Sequence, residues 1–295
     1  MQVLEPDATE MEVLICAAIE EDSTLSCYKL ADMFQTNKTN VFRILRKHGY
    51  SSFKVSKHQQ ICDADLERRM VFCEQAMEMA NGDDQFIKNI LFSDESSFPL
   101  LGRHNPSVVR YWSRTNQHRF NEFGTQYPQK LNIWSGILGD NIIGPFVING
   151  NLNGVRYLEL LQNQIIPAVQ QLDGVELRDI WFQQDGCPAH NTLIVREYLA
   201  NIFPDKWIGT HGPIRWPARS PDLSPNDFFY WGYLKTSIYG HNNTRPQNLE
   251  ELREKIFEVS NNITPLMLSN VRNSFYNRLG YCLAKGGGLF EHELH

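Results

Sequence analysis

Residues 86–94 read FIKNILFSD, an apolar run that closes on a serine and an aspartate. A run of this length, bounded by polar residues, predicts a buried strand. Downstream, KLNIWSGIL at 130–138 and IIGPFVI at 142–148 repeat the pattern, so the first three strands read as a hairpin-like meander. GVRYLELLQNQIIPAVQQL (154–172) is helical, RDIWFQQD (178–185) is a fourth strand, and HNTLIVREYLA (190–200) is a further helix. A meander followed by alternating helices and strands predicts an α/β fold with a mixed central sheet flanked by helices. Past a Pro- and Gly-rich passage, SPNDFFYWGYLKTSI (224–238) opens a helix with Ser224 as N-cap and Pro225 as its first residue. NLEELREKIFEVSNN (248–262) and LSNVRNSFYNRLGYCLAKGG (268–287) add two more helices, closing at a glycine loop.

Upstream, LERRMVFCEQAMEMA (66–80) is an amphipathic helix leading into this region, and the basic tail SSFKVSKHQQ (51–60) reads as an extended linker. Before it, a helical stretch over 10–21 precedes LSCYKLADMF (25–34) and NKTNVFRILRKHG (37–49), which the polar turn Gln35-Thr36-Asn37 separates. This is a helix-turn-helix pattern. Val41, Ile44 and Leu45 have the spacing of a buried face, which turns Lys38, Thr39, Asn40 and Arg43 outward, as residues entering a major groove would be. The expected division is a helix-turn-helix module at 1–50, a linker and connecting helix at 51–84, and the α/β domain at 85–295.

The net charge of −6 runs against nucleic-acid binding, but the charge is unevenly placed. Residues 1–25 hold seven acids and no Lys or Arg, whereas residues 26–60 hold Lys29, Lys38, Arg43, Arg46, Lys47, Lys54 and Lys57 against one acid, Asp32. A basic module is embedded in an acidic chain. The six cysteines contain no C-x-x-C pair, which argues against zinc fingers and a disulfide framework. No apolar run approaches a bilayer span and the N-terminus is acidic, so the expectation is a soluble intracellular protein.

Three aspartates stand where apolar stretches exit into polar residues: Asp94 in FSDES, Asp185 in WFQQDGCPAH and Asp227 in WPARSPDLSPND. Carboxylates from three elements suit a pair of Mg²⁺ ions, the arrangement that serves in-line phosphoryl displacement. Each has a rival reading. Glu95 competes with Asp94, since neighbouring strand residues face opposite sides. Asp185 precedes a glycine and could simply turn the chain. Asp227 could close a capping box on Ser224, and Asp222 competes for the third position. His190 could orient a metal-bound water or only cap a helix. Trp181, Trp216 and Trp231 read as packing residues.

The ordered strings FSDES, KLNIWSGI, WFQQDGCPAH and WPARSPDLSPNDFFYWGYLK resemble the Tc/mariner superfamily of DDE/D transposases, from about Leu25 to the C-terminal GGGLFEHEL. The resemblance implies an RNase H-like catalytic fold preceded by helix-turn-helix modules. It assigns the three metal ligands to Asp94, Asp185 and Asp227 rather than Asp222. It further implies two Mg²⁺ or Mn²⁺ ions and binding to double-stranded terminal inverted repeats, for which the helix-turn-helix residues Lys38, Thr39, Asn40 and Arg43 and the basic Arg46, Lys47, Lys54 and Lys57 are the candidates. Cleavage at the element ends, joining of the 3′-hydroxyl at a TA dinucleotide, a homodimer in the DNA complex and work in the nucleus follow. The stretch 99–129, with Arg103, Arg110, Arg114 and Arg119, matches the region that reaches a second protomer in mariner relatives. Relatives carry two helix-turn-helix units where this sequence has room for one, so the module is expected to be truncated at its N-terminus. The same pattern admits an inactive or host-recruited DNA-binding remnant, or a metal-dependent nuclease without strand transfer.

Overall fold

The computed structural model describes residues 10–23, 25–51, 61–100, 129–240 and 245–294. The chain divides into two compact units, residues 1–59 and 60–295.

The first unit is three helices: α1 (Glu10–Glu21), α2 (Cys27–Met33) and α3 (Lys38–Lys47). Two side-chain caps set the last two, Ser26 accepting from the Lys29 amide and Asn37 from the Asn40 amide. Both satisfy orphan amides of a helix start. Between them Gln35 adopts φ 50°, which turns the chain sharply into α3. One apolar face from each helix meets in a small core of Ile15, Cys16, Leu30, Ala31, Val41 and Ile44.

In the second unit, α4 (Asp63–Gly82) leads to β1 (Ile90–Pro99), β2 (Lys130–Leu138) and β3 (Asn141–Ile148), an antiparallel meander. A long helical segment follows: α5 (Gly154–Leu160), a π-helical turn (Leu161–Ile165) and α6 (Ile166–Gln170). β4 (Trp181–Gln183) then enters beside β1 in parallel, with α7 (Leu193–Ile202) after it. β5 (Trp207–Gly209) and β6 (Ile214–Arg215) extend the parallel half, giving the order β3-β2-β1-β4-β5-β6. A second π-helical turn (Asn226–Tyr230) runs into α8 (Trp231–Tyr239), and α9 (Leu249–Asn261) and α10 (Pro265–Ala284) complete the described residues' helices.

Alternation along β1 builds the two layers, because successive strand residues face opposite sides. Ile90 and Phe92 enter a core with α4, α8, α9 and α10, while Leu91 enters the opposite core with α5, α6 and α7. The mixed sheet flanked by helices is the RNase H-like arrangement the sequence implied. Three details differ from the sequence reading. β1 begins at Ile90 and runs on to Pro99, so Asp94 lies within the strand rather than at its end. β5 and β6 were not expected, being three and two residues long inside KWIGTHGPIRW, too short for periodicity to register. The helix α4, read as a connector, packs against α10 within the second unit.

Candidate active site

The parallel pairing of β1 with β4 ends at Phe92 opposite Gln183. Two residues further along the chain come Asp94, still within β1, and Asp185, just past the end of β4, at the same level. This is the carboxyl end of the parallel strands, where open α/β sheets hold ligands. β1 stays paired with β2 there, Asp94 opposite Ser135, which keeps its backbone fixed.

Asp227 arrives from the π-helical turn. The buried Asn226 donates its side-chain amide to the Ser135 carbonyl at 2.9 Å, pinning the turn to the residue opposite Asp94. One further turn along, the Trp231 indole N–H donates to Asp94 Oδ2 at 2.7 Å. Trp231 thus does more than pack. Ser224 accepts from the Asp227 amide at 3.4 Å, but its own amide donates to the Pro221 carbonyl, so the reciprocal capping box is not closed. The Asp227 carboxylate feels Ser224 and Lys235 on one hand and the charge of Asp185 on the other.

Electrostatics links the three. Burial, then the charges of Asp227 and Glu95, push the Asp94 carboxyl well above the usual carboxylate range, against the Trp231 hydrogen bond. Asp227 keeps solvent on one side, yet the protein mass around its carboxyl, helped by Asp185, raises it to about 6 despite Ser224 and Lys235. Burial also acts upward on Asp185, but the hydrogen bond and charge of His190 outweigh it and hold that carboxyl below its ordinary value. Asp94 and Asp227 keep burial and like charge without a counter-charge large enough to offset them, a strain that a divalent cation relieves, whereas Asp185 already has His190. The residues fit Mg²⁺ or Mn²⁺, with Asp94, Asp185 and Asp227 as the side chains that would hold it.

Glu95 faces the other side of the sheet from Asp94. There His190, 1% exposed, places Nδ1 at 2.8 Å from Asp185 Oδ1 and Nε2 at 3.2 Å from Glu95 Oε1, with Tyr157 packed against the ring at 4.2 Å between centroids. Among the described residues, Glu95, Asp185 and His190 form the group of possible metal ligands whose atoms all lie within 4.8 Å of one another. Both ring nitrogens, however, face carboxylates. Burial disfavours the charged ring, but Glu95 and Asp185 outweigh it and raise the His190 pKa well above its usual value. The ring lies between the two carboxylates, which favour its charged form, and so ties Asp185 to Glu95.

Asp222 has a different task. Arg69, fully buried on α4, grips it through two hydrogen bonds, Nη1 to Oδ1 at 2.8 Å and Nη2 to Oδ2 at 2.6 Å. The same guanidinium donates to Ser220 Oγ at 2.8 Å and to the Gly287 carbonyl at 2.7 Å. Gly287 sits at φ +81°, where a Cβ would stand 2.2 Å from the Leu66 carbonyl oxygen, so glycine alone lets the C-terminal loop reach Arg69. Asp222 is bound to the scaffold.

The unrelieved acids have a consequence for stability. Between about pH 4 and pH 6 the unfolded chain sheds the Asp227 proton while the folded chain keeps it, so this residue makes metal-free stability fall as pH rises. Thermal melts of Asp227→Asn in EDTA are expected to lie above wild type, with a gap that widens from pH 4 to pH 7. Added Mn²⁺ should raise the melting temperature of wild type more than that of the variant. Equal melting curves for the two proteins at all pH values, with and without Mn²⁺, would contradict this.

In the first unit, Lys38, Thr39, Arg43 and Arg46 are exposed on α3. Asn40 is engaged locally: its amide donates to Thr36 Oγ1 at 3.1 Å and its carbonyl accepts from Arg43 Nη2 at 2.9 Å. Lys47 pairs with Glu12 of α1 at 3.0 Å, which partly neutralises it. Lys54, Lys57 and the arginines at 103, 110, 114 and 119 lie outside the described residues.

No family profile matches the chain. A curated relative does: the Tc3 transposase of Caenorhabditis elegans is 27% identical over 192 residues, 64% of this chain and 54% of that protein. The chain spans about half the length of this relative. Among solved structures, the Mos1 mariner paired-end complex with Mg superposes with a TM-score of 0.72 at 19% identity, covering 99% of this chain and 83% of that one. The Mos1 strand transfer complex gives 0.69 at 20% identity with the same coverage, and the isolated Mos1 catalytic domain 0.60 at 19%, covering 80% of this chain and all of that one. No helix among the described residues is long and apolar enough to cross a membrane. The chain is thus similar in sequence to the Tc3 transposase over part of that protein's length and shares the fold of the Mos1 mariner transposase.

Proposed function

We propose that this protein is a divalent-metal-dependent DNA transposase. It binds terminal inverted repeats, hydrolyses phosphodiester bonds at the element ends and joins the freed 3′-hydroxyl to target DNA at TA, working as a dimer on the DNA and in the nucleus. The observation that carries this reading is the coupling of Asp94 to Asp227 and of Asp227 to Asp185 beside the point where β1 and β4 cease to pair, with Asp94 and Asp227 held above their ordinary pKa by burial and like charge. Bound Mg²⁺ or Mn²⁺ would supply charge stabilisation for the attacking and leaving oxygens. Asp94, Asp185 and Asp227 would hold the cation, while Trp231 and His190 fix two of those carboxylates and Asn226 holds the turn bearing the third. The α3 residues supply the DNA contacts, with Arg43 steered by the Asn40–Thr36 chain. Paired-end and strand-transfer complexes of Mos1, and Mos1 crystals containing Mn or Mg, support the partner and the metal.

The test is a strand-transfer assay with the element's own ends and a supercoiled target. Joined products at TA, dependent on Mg²⁺ and on the repeat sequence, are expected. Nicking of any duplex without joining would favour a metal-dependent nuclease, and repeat binding without cleavage in either metal a DNA-binding remnant.

A further inference from the structure

From the side chains that α3 presents outward, we infer that Phe42 reads a thymine 5-methyl group in the major groove. The inference rests on the DNA-binding reading above and adds the base that this helix selects. Val41 and Ile44 are buried against α1 and α2, which fixes the rotation of α3. The opposite arc then carries Thr39, Phe42, Arg43 and Arg46, and Phe42, 53% exposed, stands at its edge next to Arg46. A single exposed apolar residue is ordinary on a protein surface.

The surroundings of the ring are built. The Arg46 guanidinium lies 5.9 Å from the Phe42 ring centroid, one helical turn on. On the adjacent row, the Thr36–Asn40–Arg43 hydrogen-bond chain holds the Arg43 guanidinium in one direction. An oriented arginine fork can take guanine O6 and N7. Phenylalanine has no donor or acceptor, so the one base-edge feature in the major groove that it can recognise is the thymine methyl. The pair therefore specifies a thymine close to a guanine, and Phe42 distinguishes thymine from cytosine where Arg43 cannot.

The inference separates cleanly from the reading beneath it. Full-length protein is used to select duplexes from a randomised pool, and each thymine in the selected site is then replaced singly by deoxyuridine, which removes the methyl and nothing else. Wild type is expected to lose about fourfold in affinity at one position, the value of one buried methyl. Phe42→Ala should bind the thymine and uracil duplexes equally there, with an unchanged melting temperature, since the ring is outside the core. Phe42→Leu, which keeps an apolar contact, should retain part of the preference. A selected site at which wild type ignores every uracil substitution would overturn the role of Phe42 while leaving DNA binding intact. Failure to select any duplex would overturn the DNA-binding reading itself, and this inference with it.

Discussion

Asp227→Asn should abolish metal-dependent end cleavage, with a loss on the order of 10⁴-fold or more, while the protein folds and binds end DNA as wild type does. Asp94→Ala and Asp185→Ala should match it, and combining any two should cost little more, because residues that hold one reactive centre fail as a unit. The amide of asparagine preserves the shape and the Ser224 hydrogen bond to the Asp227 backbone, so a loss of activity reports the missing charge and not the helix start. Asp227→Asn retaining wild-type rates would make it a capping residue and leave the site without its third acid.

The second large effect falls on Asp222, five residues away, and is opposite in kind. Removing one partner of a buried bidentate pair strands the other charge away from water, at a cost of about 3–5 kcal/mol. Arg69 is fully buried and Asp222 nearly so, which places the pair in that class. Asp222→Ala should therefore lower the urea midpoint sharply, whereas Asp227→Asn should not lower it. Replacing both partners together, Arg69→Met with Asp222→Leu, should recover much of the loss, since no charge is then left unpaired. A fully stable Asp222→Ala protein with impaired cleavage would reverse the roles assigned to the two aspartates.

The two aspartates of SPDLSPND show where sequence reasoning stops. Both are acids in a proline-bracketed loop, and spacing offers no reason to prefer one. The family resemblance prefers Asp227, and the physical reason to set Asp222 aside is Arg69, whose guanidinium meets it from more than 150 residues away. Long-range partners of this kind leave no local pattern. The same holds for Glu95, whose part as the far anchor of His190 depends on two strand faces and a helix start meeting. Trp231 was read as packing because its indole N–H finds Asp94 only once α8 has docked on β1. By contrast, the meander and the helices of the first unit were legible, because apolar period, caps and turns are written locally. The strands β5 and β6 escaped for the opposite reason, being too short to carry a period of their own.

The central claim is that Asp94, Asp185 and Asp227 together hold the catalytic cations. Anomalous diffraction at the manganese edge, from crystals of the protein with its selected end duplex grown in Mn²⁺, tests it most directly. The account expects two manganese peaks within bonding distance of those three carboxylates, with His190 still bridging Asp185 and Glu95 and with Asp222 still on Arg69. A peak ligated by the His190 ring and Glu95, with Asp94 or Asp227 uninvolved, would contradict it.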